Sequence, residues 1–109
     1  MAERLVRFSQ PFFDRLDLLF PEERGADVAP SAADFLLYEL PRVRDQLARE
    51  FEGNTVATDE GPVRVWLGAG MLVASIAVYA YLAEDAAVEV ISLLVGWHPP
   101  TDEDIESDR

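Results

Sequence analysis

The sequence predicts an α+β domain: an N-terminal strand and two helices packed on a small antiparallel sheet of three to four further strands. Three observations carry that expectation. The first half holds two apolar stripes at helical spacing, each bounded by turn residues. The second half changes period and breaks into short runs of Val, Ile, Ala and Tyr. The stretch Val63–Trp97 holds both tryptophans and most of the residues of buried type, so the fold must be organised around it.

In chain order, Arg4–Ser9 alternates Leu5 and Arg7 against Val6 and Phe8, the pattern of a first strand. Ser9 stands two residues before Pro11, a helix-start signature, with Gln10 able to shift the cap by one. Phe12, Leu16 and Leu19 follow at helical spacing, and Pro21 stops the helix. Pro21–Pro30 has no period and reads as a loop. Ser31-Ala32-Ala33-Asp34 has the spacing of a capping box, with Asp replacing the usual Glu or Gln. Leu36, Leu40, Val43, Leu47 and Phe51 form the second helical stripe, with Gly53 as its expected stop. Pro41 lies inside that stripe, where it removes a backbone donor and predicts a kink or a break.

From Asn54 the period is that of strands. Thr55–Thr58 is a short strand and Asp59-Glu60-Gly61-Pro62 a turn. Val63–Leu67 alternates, and Gly68-Ala69-Gly70 is the expected hairpin turn. Met71–Leu82 and Val88–Trp97 are the next two strands, separated by Glu84-Asp85, and His98-Pro99-Pro100 ends the last. One domain over residues 1–100 is expected, with a disordered acidic tail over 101–109.

The 109 residues suffice for one core, and half of them are hydrophobic. There is no cysteine, which excludes disulfides and thiolate chemistry and fits a cytoplasmic setting. MAERLVRFSQ lacks the apolar stretch of a secretory signal. The formal net charge is −12 and every one of the nine cations is arginine. A field of that sign repels phosphate backbones and argues against non-specific nucleic-acid binding. No glycine-rich phosphate loop, metal-ligand cluster or nucleophile elbow is present, so neither metal nor cofactor is expected.

Val65–Ala83 contains 19 residues without a charge, the length of a membrane span. The glycines at 68 and 70, the strand-length subdivisions and the lack of a positive-inside signal, with Arg64 the only nearby cation, favour a sheet over a span. As a strand, Met71–Leu82 is apolar on both faces, so both need cover. The helices can cover one. The other meets a loop, the tail or a second chain, or is simply buried by the chain's own helices. Met71, Val73, Ala77 and Tyr79, with Trp97 on the following run, form the candidate partner surface.

The order β, α, α, then antiparallel strands resembles the RelE/ParE-type toxin superfamily of type II toxin–antitoxin modules. RLVRFSQPFFDRL is similar to the family's opening strand and first helix. VRVWLGAGMLVASIAVYAYLAEDAAVEVISLL resembles its core hairpins, and GWH its terminal small–aromatic–basic cluster. The resemblance implies a bacterial, cytoplasmic toxin neutralised by a cognate antitoxin that wraps its sheet and helices; a homodimer would cover the same surface. RelE-like members cleave mRNA on the ribosome. By resemblance, Arg64, His98 and Tyr81 (or Tyr79) match that catalytic cluster. The family's arginine on the second core strand has no counterpart within Leu72–Ile76, and lysine is absent. ParE-like members poison gyrase by protein contact and need no such cluster, so the missing cations favour a toxin-type domain acting through protein–protein contacts. The alternatives are an mRNA-cleaving toxin and a non-toxic domain of the same fold. Taken singly, His98 is a strand-end polar residue, Arg64 a partner of nearby acids, and the tyrosines packing residues.

Overall fold

The computed structural model describes residues 3–20 and 31–97. Strand β1 (Val6–Phe8) leads into helix α1 (Gln10–Leu19). One continuous helical run then comprises α2 (Ala32–Asp34), a π-helical turn (Phe35–Glu39) and α3 (Leu40–Arg49), with the single turn α4 (Phe51–Asn54) after it. Strands β2 (Val56–Ala57), β3 (Arg64–Ala69), β4 (Ser75–Leu82) and β5 (Val88–Gly96) follow. They form one five-stranded sheet in the order β1-β5-β4-β3-β2. The loop expected at Pro21–Pro30, the proline at its start, His98 and the acidic tail lie outside the described residues.

The α+β class and the order of elements match the expectation. The sheet is larger and mixed: β1 joins it, running parallel to β5, while β2 to β5 are antiparallel. Adjacent strands in sequence close by short turns and must be antiparallel. β1 is separated from β5 by the whole helical layer, so its direction is free of that constraint.

Pleating sends alternate side chains to opposite faces. Val6, Phe8, Trp66, Ile76, Val78, Val88, Val90 and Leu93 point to one side and pack against Phe12, Leu16, Phe35, Val43 and Leu47 of the helices. Rings continue the contact at both ends: Phe8 lies 5.1 Å from Phe12, Phe20 5.1 Å from Phe35 and 5.4 Å from Trp97. The pairing of β4 with β5 shifts between Tyr79 and Ala80, leaving Ile91 as the extra residue of a bulge.

The helix starts follow local chemistry. Ser31 and Asp34 form the expected capping box, each side chain bonded to the other's backbone N–H. Ser9 occupies the N-cap of α1, but its hydroxyl donates to the Val90 carbonyl at 2.7 Å instead of capping the helix. That bond ties the β1–α1 corner to β5.

Three expectations about boundaries change. The π turn advances the helical register by one residue, so Phe35 is buried and Leu36 is left 36% exposed. Leu40, Val43, Leu47 and Phe51 keep their place in the core. Pro41 supplies the reason: without an N–H it cannot bond the carbonyl four residues back, and the wide turn just before it accommodates the mismatch. Gly53 does not stop the second helix; α3 ends at Arg49, Glu50 adopts a non-helical conformation, and Gly53 sits inside α4. The hairpin turn is Gly70–Ala74, not 68–70, because Gly68 and Ala69 remain paired with Ile76 and Ser75. Gly68 serves another purpose, since the ring of Trp66 lies where a Cβ would sit.

Glu39 sets that turn. Its side chain is wholly buried. Oε2 accepts from the backbone N–H of Met71 at 2.8 Å and of Leu72 at 2.6 Å, with the Val73 N–H at 3.4 Å. Oε1 accepts from Arg42 at 3.2 Å. Gly70 is required beside it, because a Cβ there would stand 2.8 Å from Glu39 Oε2 and 2.6 Å from the Val73 carbonyl. Arg42 also donates to the Ala69 carbonyl at 2.8 Å and lies 5.9 Å from the Trp66 ring centroid.

Two stability changes follow. Glu39→Ala strips several buried N–H groups of their acceptor and is expected to cost about 3 kcal/mol in urea unfolding; a loss under about 1 kcal/mol would show that the carboxylate does not hold the hairpin. Ala86 adopts φ 69° in the β4–β5 turn. Ala86→Gly relieves that conformation and should raise stability by about 0.5–1 kcal/mol in the same assay.

Candidate interaction surface

The helices cover one face of the sheet. On the other, strand alternation places Val65 and Leu67 of β3, Ala77, Tyr79 and Tyr81 of β4, and Ser92 and Leu94 of β5. Leu67 is 63% and Leu94 43% exposed, so no described element packs over them. A shallow groove of ≈ 350 Å³ runs along Leu67, Ser75, Ala77 and Leu94. A second, of ≈ 300 Å³, lies against Glu60, Val63, Tyr79, Ile91 and Leu94. The floor is aliphatic and aromatic, and the charge within the second groove is an acid. Large exposed apolar patches with polar rims mark contact surfaces.

The residues expected from the sequence are distributed as follows. Ala77 and Tyr79 stand on the open face. Val73 does not; it is buried in the core, because β4 begins only at Ser75 and the turn folds Val73 inward. Met71 is exposed at the tip of the β3–β4 hairpin, off the sheet. Trp97 is half exposed at the end of β5, its ring edge-on to Phe20.

Arg64 and Tyr81 do not converge. Arg64 pairs with Ala80, whose side chain faces the helices, while Tyr81 faces away. The Arg64 guanidinium is occupied: Nε donates to Thr55 Oγ1 at 2.8 Å and Nη2 to the Thr55 carbonyl at 2.9 Å. It fastens β3 to the α4–β2 junction. Their expected third partner, His98, lies outside the described residues.

Among the described residues, the cation that strand pairing puts on the open face is Arg7, at the β1 edge. Nε donates to Glu89 at 3.0 Å and Nη1 to Asp85 at 2.7 Å. These two bonds, Asp85 first, hold the guanidinium further toward its charged form. The same bond to Arg7, helped by the Ala87 N–H, holds the Asp85 carboxyl below the usual carboxylate range. A cation so paired is poorly placed to stabilise a reacting phosphate. No group of three or more His, Asp or Glu able to hold a metal occurs among the described residues. No helix among them is long and apolar enough to cross a membrane.

Two structural features were not singled out from the sequence. Glu39 is an acid four residues after Phe35 on the buried side, directly before Leu40-Pro41; a charge in a core position was its only local mark. The Arg7–Asp85–Glu89 cluster joins residues about eighty apart and left no local signal.

Comparisons with known protein families, with curated proteins and with solved structures find no match for this chain.

The Arg7 clamp predicts a pH response. Asp85 is depressed in the folded state, so its contribution is present above the unfolded-state value and is lost as pH falls through the folded one. Thermal stability is therefore expected to fall as pH drops below about 4. Asp85→Asn should be less stable near neutrality and should lose part of that acid dependence. A variant melting profile parallel to wild type from pH 7 to 2 would rule the clamp out as a contributor.

Proposed function

We propose that this chain is a toxin-type domain of the RelE/ParE kind that acts through protein–protein contacts, and that a cognate antitoxin neutralises it by covering the open face of the sheet. The observation that carries this is the uncovered apolar face itself, with Leu67 and Leu94 exposed along its grooves. The order of one strand, two helical segments and a run of antiparallel strands supports the same family. The chain's net charge of −12 and Glu60 at the groove favour a partner segment that is apolar and basic.

The mRNA-cleaving alternative needs cations gathered on one face to stabilise the phosphorane, with a group to take the 2′-hydroxyl proton. Arg64 is tied down on the helix side, and Arg7 is neutralised by two carboxylates. Contact with a protein target asks for none of this.

Leu67→Glu and Leu94→Glu test the proposal, because they add charge to exposed positions and leave the core intact. Each is expected to shift the melting midpoint by no more than about 4 °C. Induced expression of the wild type should inhibit growth, and both variants should abolish the inhibition. Growth unaffected by the wild type, together with a clean monomer by light scattering, would overturn the reading. A wild-type dimer that the variants convert to monomer would instead assign the face to a second copy of the chain.

A further inference from the structure

The two grooves on the open face differ in chemistry. The one along Leu67, Ala77 and Leu94 is aliphatic, with Ser75 beside it. The other shares Leu94 but adds Glu60, Tyr79 and Ser92. Strand pairing sets Tyr79 directly opposite Ser92, next to the bulge at Ile91, so these two residues are neighbours on its floor. Val63 and Leu94 give it apolar walls. Glu60 comes from the turn between β2 and β3, and that turn is held from within. The Glu60 N–H donates to Thr58 Oγ1 at 3.1 Å, and the Glu60 carbonyl accepts from the Val63 N–H at 3.3 Å.

Charge singles out this acid. Asp85 and Glu89, at the β1 side of the sheet, are both engaged by Arg7. No described residue bonds the Glu60 carboxylate or the hydroxyls of Tyr79 and Ser92. All three groups accept hydrogen bonds, and they share a trough with aliphatic walls. The side chain that matches such a trough has a long apolar stem and a cationic head with several donors. Arginine fits best: its guanidinium carries five N–H donors and packs on aromatic rings, whereas the lysine ammonium is a more strongly hydrated point charge with three. The chain's own described arginines are already bonded to its acids, carbonyls and Thr55. A second copy brings the same engaged arginines and the same charge of −12, so it repels the first. The cation therefore comes from a different protein.

We infer that the groove at Glu60 and Tyr79 is a specificity subsite for an arginine of the partner segment, with a neighbouring apolar side chain of that segment lying in the groove at Leu67 and Ala77. The inference rests on the reading of the open face as a contact surface and adds what that surface selects. The aliphatic groove supplies buried area, which many partners can fill. The Glu60 subsite discriminates among them, because an acidic side chain placed there meets like charge while a guanidinium finds a carboxylate, a ring and two hydroxyls.

The test is selection from a random peptide display library on the immobilised full chain, with the best peptide then measured by calorimetry. Selected peptides are expected to carry an arginine beside an aliphatic residue. Glu60→Gln should weaken the best peptide about tenfold and Tyr79→Phe about threefold. Glu84→Gln removes the same charge from an exposed turn outside both grooves, and should change binding by less than about twofold. Selection repeated on Glu60→Arg should turn toward Asp and Glu. Glu60 and Glu84 are both exposed, so these variants leave the core intact. Peptides without an arginine preference, equal losses from Glu60→Gln and Glu84→Gln, or no selected peptide at all would overturn the inference. If Leu67→Glu abolishes binding and Glu60→Gln leaves it unchanged, the subsite is wrong while the contact face stands; the growth assay judges the toxin reading separately.

Discussion

A single buried carboxylate sets the relation between the helical layer and the sheet. Glu39 is fully enclosed, and removing a charge from water is costly unless its oxygens find donors. It finds them in a tight turn whose consecutive N–H groups point inward and in Arg42 one turn on. The two needs are mutual: among the described residues the amides of the turn find their acceptor in Glu39, and the enclosed acid finds its donors there. Arg42 extends the junction to the Ala69 carbonyl and the face of Trp66, whose indole N–H reaches Gln46 at 2.8 Å. Helix and hairpin therefore meet through polar groups in an otherwise apolar core. Such contacts are directional, and they specify which turn and which register in a way that leucines alone do not.

At the other end of the sheet, Arg7 has the same standing on the surface. It joins β1, β5 and the β4–β5 turn through Glu89 and Asp85, while Arg4 adds a bond to the Ala86 carbonyl. Arg15 donates to the Leu93 carbonyl, and Arg49 pairs with Glu3. Apart from Arg44, which pairs with its neighbour Asp45 within α3, the described arginines are thus spent on joining elements. What remains open is a face of aliphatic and aromatic side chains beside acids, which suits contact with a protein and offers little to a phosphate.

Much of the local structure was legible in the chain. The capping box at Ser31 and Asp34 formed as spaced, and the turn at 59–62 placed Gly61 at φ 63°. The strand at Val6–Phe8 and the acidic turn after Leu82 also stand where alternation and charge put them. Each of these signals is contained within a few residues. The failures have the opposite character. Leu36 was expected inside on a regular helical period, and the π turn before Pro41 put Phe35 there instead. The glycines at 68 and 70 looked like the turn itself, yet one makes room for Trp66 and the other for Glu39. Arg64 and Tyr81 looked like neighbours in a site, and pleating placed them on opposite faces.

By itself the sequence determined an α+β chain with this order of elements, an apolar sheet, an acidic composition, the cap at Ser31 and the turns at 59–62 and after Leu82. Those properties follow from spacing and from side chains that act on their own backbone. Only the tertiary structure decided that β1 runs parallel to β5, that the helices cover one face and leave Leu67 and Leu94 bare, and that Glu39 belongs inside. Those outcomes depend on which distant groups meet. The core position of Glu39 on its helix was a local mark, but only donors from elsewhere in the fold decide that an acid there is buried and not solvated.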